Sequence, residues 1–303
     1  MNKGTDDWEF FDFHSPEPAA EYLWPRMITS GVDHSVIHLL ALTMPVANGG
    51  IVYQGMNGAL LYSRSTYGGE TWDIQHQILP GMDSSQYTGF TGDCYAFAEP
   101  HDNVVAFVAG SHQHDLFLMK SIDNGQTFEK TIIWNNPYDL MTPTFQTDTF
   151  YCVDGSVAVT LGINGLAHVV FGICRACYHT SIPVGWKINK LTDGVGYWNE
   201  NMTGFSSNIN ALDPTCGPES EMVKNQNLIG WAQDIDGDSL ITYLYEYSYP
   251  YYTYQGASSM VQIVSDEQNR LFLVFSSITE TYNNGVENYR RLWMRSSLDG
   301  GQT

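Results

Sequence analysis

Long apolar runs are absent from this 303-residue chain, and no segment approaches the ~20 apolar residues that a membrane-spanning helix needs. Residues 1–7 hold no apolar stretch of signal-peptide length. The expectation is a soluble domain with no membrane-spanning segment, extracellular or at the cell surface in its mature form. Basic charge is also scarce, with 13 Lys and Arg against 33 Asp and Glu and a formal charge of -20. A phosphate backbone would be repelled from most of such a surface, which argues against nucleic acid as a partner. The same field opposes an anionic sugar unless its pocket is locally basic, and it favours a cation such as Ca²⁺. Cysteine is sparse and odd in number. Cys94, Cys152, Cys174, Cys177 and Cys216 leave one thiol over after any two pairings, and their spacing is not that of a stapled mini-protein. Long amphipathic helical patterns are missing as well.

Glycine and aromatic rings are abundant instead: 28 Gly and 12 Pro accompany 19 Tyr, 14 Phe and 8 Trp. Turn residues and rings in such numbers belong to many short strands joined by tight turns. With 43% hydrophobic and only 15% charged residues, the chain can bury a large core. One unit recurs, an apolar strand, a polar turn and a second apolar strand. It runs 27–29 into 36–42, 95–97 into 104–109, 157–161 into 166–173, and 260–264 into 271–275. Turns such as Asp33-His34, Asp102-Asn103 and Asn164-Gly165 accept the dihedrals that hairpins demand. Regularly repeated hairpins suggest a blade-by-blade architecture.

A second repeat follows the first two hairpins. Ser65-Thr66-Tyr67-Gly68-Gly69-Glu70-Thr71-Trp72 and Ser121-Ile122-Asp123-Asn124-Gly125-Gln126-Thr127-Phe128 share the spacing Ser-x-Asp-x-Gly-x-Thr-aromatic, with Tyr67 in place of the Asp. Ser297-Leu298-Asp299-Gly300-Gly301-Gln302-Thr303 is a third copy without its aromatic. Ser and Asp oxygens can close such a turn on backbone N–H groups, glycine takes the strained dihedral, and the aromatic packs beneath. The motif resembles the Asp box of the BNR-repeat, sialidase-like propellers. That resemblance implies an all-β fold, a β-propeller of four-stranded antiparallel blades, six or a similar number in all, with each box between the third and fourth strands. The blades are expected at 21–90, 91–150, 151–200, 201–256 and 257–303, after an N-terminal segment 1–20. Since the last box stops mid-motif, the natural protein is expected to continue.

In that family, ligands bind where the second and third strands connect and where blades connect. The corresponding stretches here are 44–58, 111–115, 174–193 and 278–288, and they contain His112, His114, Cys174, Arg175, Cys177, His179, Glu280 and Glu287. A sialidase requires an arginine triad, a Tyr/Glu nucleophile pair and an acid/base Asp. Trp24-Pro25-Arg26-Met27 resembles the element that supplies the first arginine, so Arg26, with Glu280, is a catalytic candidate. The rest departs from the pattern: the chain has seven arginines, and no Asp lies between Asp33 and Asp73.

Four further groups draw attention. Cys174-Arg175-Ala176-Cys177 with His179 resembles half of a zinc site, or a disulfide or two thiols. Ser111-His112-Gln113-His114-Asp115 places two imidazoles on one extended segment, or forms a polar hairpin tip. Asp234, Asp236 and Asp238 alternate as hard oxygen ligands for calcium would, although Ser239 and Glu246 break the EF-hand pattern and an Asp-Gly turn explains the run equally well. Tyr243, Tyr245, Tyr247 and Tyr249 alternate along one strand face, followed by Tyr251, Tyr252 and Tyr254, which are candidates for packing between blades or for stacking on a glycan. The functional expectation is a propeller that binds a glycan or protein ligand through Tyr251, Tyr252, Tyr254, His112 and Arg175. The alternative is a carbohydrate-active enzyme, a sialidase-like glycoside hydrolase or a polysaccharide lyase. The net charge favours a neutral glycan.

Overall fold

Residues 105–111 show why this chain builds stacked sheets: all seven are buried, although successive side chains of a strand point to opposite faces. Phe107 and Ala109 join one hydrophobic cluster while Ala106 and Val108 join another. A strand apolar on both faces needs a sheet on each side. The computed structural model describes residues 12–138, 146–181, 185–189, 191–242 and 255–302, and meets that need with four antiparallel sheets packed in chain order.

The first sheet is β1 (Tyr22–Ser30), β2 (Val36–Thr43), β3 (Leu60–Ser65) and β4 (Ile74–Gln77). The second is β5 (Tyr95–Phe97), β6 (Val105–Ser111), β7 (His114–Ser121) and β8 (Glu129–Trp134). The third starts with β9 (Phe150–Leu161) and β10 (Ala167–His179); β11 (Gly185–Asn189) pairs with the tip of β10, while β12 (Val195–Asn199) and β13 (Leu228–Gly230) complete the body. The fourth is β14 (Ser258–Ser265), β15 (Leu271–Asn283) and β16 (Asn288–Ser297). These are blades of a β-propeller, and the four sequence hairpins are the first two strands of each. A short α-helix, α1 (Glu221–Lys224), lies in the 200–227 connection, with Ser220 capping it through the Val223 N–H. Among the described residues, the stretch 201–256 forms no sheet of its own; β13 joins the third sheet because Gly230 and Leu228 pair with Val195 and Gly196. No helix among the described residues is long and apolar enough to cross a membrane.

The first two repeated turns sit between the third and fourth strands of their sheets, and the third follows β16, the third strand of its sheet. Ser121 Oγ accepts from Gly125 N at 2.8 Å and donates to Asp123 Oδ1, which in turn accepts from Thr127 N. Ser65 holds Gly69 N at 2.9 Å and Ser297 holds Gly301 N at 2.8 Å, so the serine closes all three turns, including the one that lacks Asp. Phe128, expected to be buried, is half-buried, its ring edge-on to Tyr62 at 4.9 Å.

These turns also lock neighbouring blades. His38 of β2 bonds Tyr62 of β3 at 2.7 Å through Nδ1, and the Tyr62 hydroxyl donates to the Gly125 carbonyl of the next blade. Arg64 donates to Asn124 O and Gln126 Oε1, and Ser30 donates to Asn124 Oδ1. The third blade repeats the device, with His168 of β10 bonded to Tyr197 of β12 and Gly301 of the fourth blade against the Tyr197 hydroxyl. Lys120 of the second blade instead pairs with Glu200 of the third. Between the third and fourth blades, Ser259 and Ser258 of β14 donate to Asp154 and Asp193 at 2.6 Å each, and the Gly256 and Ala232 amides complete the two carboxyls.

A Cβ on Gly125 would fall on the Tyr62 hydroxyl and the His38 ring, and its φ is +77. Gly68 has a similar φ of +63 but open space around it. Gly125→Ala is therefore expected to cost about 2–4 kcal/mol and Gly68→Ala about 1 kcal/mol. Urea unfolding of the two variants checks this, and equal losses would show that the interlock contributes nothing.

Buried His38, His114 and His168 have pKa values lowered to about 4, and His112 to about 3, each chiefly because burial penalises the imidazolium. The unfolded chain protonates them near their ordinary value of about 6.5, so it binds more protons than the folded chain below that pH. Their stabilisation is full above about pH 6.5 and is lost as pH falls toward 4. Asp154 and Asp193, raised by burial, run the other way and lose their contribution as pH rises through their folded-state values. The four histidines are expected to lower the unfolding free energy on the order of 2 kcal/mol each between about pH 7 and 5, with the two carboxyls acting in the opposite direction. A flat profile over that interval in urea titrations would contradict these protonation states.

Candidate functional site

All four inner strands start at the same end of the blades, and each start is irregular. Trp24, Asp93, Gly155 and Met260 take left-handed dihedrals with φ of 49, 61, 93 and 56. The pairing register slips beside Trp24 in β1, Gly155 in β9 and Met260 in β14. Such bulges turn side chains toward the sheet end, and non-glycine residues there store strain that the surrounding contacts must hold. Trp24 is held by Tyr95, whose hydroxyl donates to the Trp24 carbonyl at 2.5 Å, and by the bare backbone of Gly92, where a Cβ would strike the indole. Arg26, two residues on, forms an ion pair with Asp93 and lies 5.9 Å from the Tyr95 ring centroid. The one arginine carried over from the sialidase pattern is thus already matched by a carboxylate.

At the same end, β9 and β10 continue past the body of their sheet. Arg175 is the cross-strand partner of Tyr151, and its guanidinium stands 5.3 Å from the Tyr151 ring centroid. Arg175, Cys177 and His179 alternate along one face of β10, while β11 sets Asn189 opposite Arg175 and Lys187 opposite Cys177. Arg175 and Lys187 are exposed, and neither enters an ion pair among the described residues. The Tyr151 phenol is raised above its ordinary pKa, first by burial and next by the charge of Asp213, with Arg175 opposing, so it stays protonated and able to donate. The result is a basic stripe, Arg175–His179–Lys187, over a tyrosine and an Asn amide.

The reverse face of that extension is core. Phe150, Cys152, Cys174 and Ala176 are buried in the cluster shared with the second blade, and Trp186 and Ile188 pack against them. His112 belongs there as well, buried with its ring edge-on to Trp186 at 4.8 Å. His114 turns the other way, among Tyr87, Phe90 and Phe117. The 111–115 tip is therefore neither a polar hairpin tip in solvent nor a pair of imidazoles on one face: its rings wedge the second blade against both neighbours. Cys174 and Cys177 also part, one buried and the other half-buried on the stripe, so the half zinc site is not assembled.

Glu280, near the end of β15, is buried and accepts from Ile235 N at 3.1 Å, Thr242 N at 2.6 Å and Thr242 Oγ1 at 2.9 Å. Those bonds, the Thr242 amide first, hold its carboxyl below its ordinary pKa. Asp234 caps Gly237 N and Ser239 N in the same loop. Among the described residues, Asp234, Asp236 and Glu280 are the one group of three metal-ligating side chains that converge, to within 4.8 Å. Asp238 stands outside it and caps Leu240 N at 2.8 Å. Oxygen donors of this kind suit calcium, but each Glu280 oxygen already serves the loop backbone. Tyr251, Tyr252 and Tyr254, with the earlier tyrosines 243–249, lie outside the described residues.

Sequence reasoning picked Arg175 and His179 but missed Lys187, Asn189, Tyr151 and Asp213 beside them. The Arg-x-Cys-x-His alternation in β10 was a usable signal; the cross-strand partners were hidden because register is not local.

No protein-family model matches the sequence, and no curated protein matches it. Among solved structures, the chain is similar to an ulvan lyase from a new family of polysaccharide lyases, with 13% identity and a TM-score of 0.46 over 96% of this chain and 58% of that one. It is also similar to an α-L-arabinofuranosidase from Fusarium graminearum (11% identity, TM-score 0.38, 92% of this chain and 63% of that one). A third is the Trypanosoma rangeli sialidase (12% identity, TM-score 0.37, 94% and 37%). The chain spans less than two thirds of the length of each.

Glu280→Gln leaves one carbonyl oxygen where two carboxylate oxygens accepted three bonds. Exchange of the Ile235 and Thr242 amides is expected to speed up about tenfold, the equivalent of ~1.4 kcal/mol of lost local stability. Hydrogen–deuterium exchange followed by peptide mass reads this directly, and unchanged protection would show that Glu280 does not hold the loop.

Proposed function

We propose that the chain is a carbohydrate-active β-propeller that takes an acidic glycan, a uronate or sulfated polysaccharide, along the stripe Tyr151–Arg175–His179–Lys187. The observation that supports this reading is an exposed Arg175 and Lys187 without ion-pair partners among the described residues, in a chain whose formal charge is -20. Elsewhere the acidic surface turns an anion away, so a local basic face confines it to one place. A planar guanidinium grips a carboxylate or sulfate in a bidentate manner, the Lys187 ammonium adds a second point of charge, and Asn189 can bond sugar hydroxyls. The stripe redirects the expectation of a neutral glycan. In this reading the three serine-closed turns are Asp boxes, and the domain works outside the cell or at its surface. Asp234, Asp236 and Glu280 are the residues that would hold a calcium ion, with Tyr251, Tyr252 and Tyr254 as further sugar contacts.

Of the enzyme chemistries, elimination fits this face better than hydrolysis. A cation on the sugar carboxylate acidifies the neighbouring C–H; an imidazole on this face can take that proton while the protonated phenol donates its own to the departing glycosidic oxygen, so that the C4–O bond breaks and a C4=C5 double bond forms. Glycoside hydrolysis asks for two carboxyls facing the sugar about 5–10 Å apart. Asp154 and Asp193 are instead taken up by serines and backbone amides.

Affinity electrophoresis in gels containing polygalacturonate, chondroitin sulfate or a neutral glucan tests the proposal. Retardation is expected in an acidic polymer, none in the glucan, with Arg175→Ala and Lys187→Ala each weakening binding about tenfold, or ~1.4 kcal/mol. The same incubations, followed by ultraviolet absorbance for an unsaturated uronate and by reducing-end assay, separate elimination from hydrolysis. Equal retardation by the neutral glucan, or an Arg175→Ala variant that binds as the native chain does, would remove the stripe from consideration.

A further inference from the structure

Cys152 and Cys174 are register partners across β9 and β10, one rung from Tyr151 and Arg175. Both are fully buried, and their Sγ atoms stand 3.4 Å apart, in direct thiol–thiol contact. Directly opposed residues of an antiparallel pair bring their Cα atoms about 4.5–5.5 Å apart, inside the ~4.4–6.8 Å that a disulfide spans. Closure to a bond of ~2.05 Å asks each sulfur to move by less than ~1 Å. The other thiols do not compete. Cys177 turns to the opposite face of β10 and Cys216 is exposed in the 200–227 connection. Cys94 is buried beside Gly155 of the β9 bulge and does not join the pair in a group of three ligands within 4.8 Å, which leaves a dithiol rather than a metal centre.

We infer that Cys152 and Cys174 form a disulfide in the mature protein, stapling β9 to β10 directly beneath the rung that carries Tyr151 and Arg175. The inference holds whether or not the stripe takes a glycan. The S–S bond forms as both S–H bonds break; the two electrons and two protons pass to a disulfide oxidant such as oxidised glutathione, whose own S–S bond opens to two thiols. Because neither sulfur is accessible in the folded chain, the bridge closes while the β9–β10 hairpin assembles and is then shielded from reductants. Extracellular compartments supply the oxidant.

Chain that has been reduced and unfolded is refolded in a glutathione redox buffer, unfolded again in alkylating reagent, digested and mapped by mass. A Cys152–Cys174 linked peptide two hydrogens lighter than the free pair is expected, with a Tm several degrees above that of chain refolded under reductant. The same link is expected in a variant carrying Cys94→Ser, Cys177→Ser and Cys216→Ser, which leaves the pair intact and does not depend on whether Cys152→Ser folds. Complete alkylation of Cys152 and Cys174 after oxidative refolding, or their linkage to other cysteines, would overturn the inference.

Discussion

Contact between one blade's buried polar side chains and the next blade's turn is the constraint on which the rest of this molecule depends. Apolar clusters bring the sheets together, but apolar surface is non-directional and would tolerate a slip of one sheet over its neighbour. His38, Tyr62 and Arg64 remove that freedom, because their hydrogen bonds are satisfied only when Asn124 and Gly125 sit at one height. Buried polar groups left unpaired cost about 1–3 kcal/mol each, so a slipped sheet is penalised several times over. The same logic recurs with the serines that meet Asp154 and Asp193, and Gly301 of the fourth blade closes on the Tyr197 hydroxyl as Gly125 closes on that of Tyr62. Blades fixed in this way present a rigid end surface to a ligand.

What that surface offers follows from departures from regular sheet. Bulged inner strands crowd Trp24, Arg26, Asp93 and Tyr95 together, yet the Arg26–Asp93 pair neutralises itself. The longer departure is in the third blade, where β9 and β10 outrun their partners and β11 pairs with the surplus. A strand end normally solvated on both faces becomes a small sheet with one face in the core and one free. The core face takes His112 and Trp186; the free face takes Arg175, His179 and Lys187. Rigid elements hold charged groups more precisely than loops do, which is why the stripe rather than the 234–242 loop carries the functional reading.

Local chemistry was legible in the sequence. Ser121, Asp123 and Gly125 lie within five residues of one another, and the turn they close is determined by those residues alone, as were the four hairpins. Pairings between distant segments were not. Nothing local to Gly125 announces Tyr62, and nothing near Arg175 announces Tyr151 or Lys187. Two local patterns misled for the same reason. Cys174 and Cys177 look like partners in sequence, but a strand sends residues three apart to opposite faces, so Cys174 meets Cys152 instead. His112 and His114, two apart, should share a face, but the tight turn at Ser111–His114 breaks the strand between them and sends the rings to different neighbours.

A crystal structure of the chain with a bound uronate oligosaccharide would show which of two places at this end of the blades takes the sugar, the Arg175 stripe or the Arg26–Asp93 pair. A sugar carboxylate is expected within hydrogen-bonding distance of the Arg175 guanidinium, with the chain of sugars running toward Lys187 and His179. An oligosaccharide seated instead over the Arg26–Asp93 pair at the inner-strand bulges, with Arg175 still resting alone on Tyr151, would contradict it.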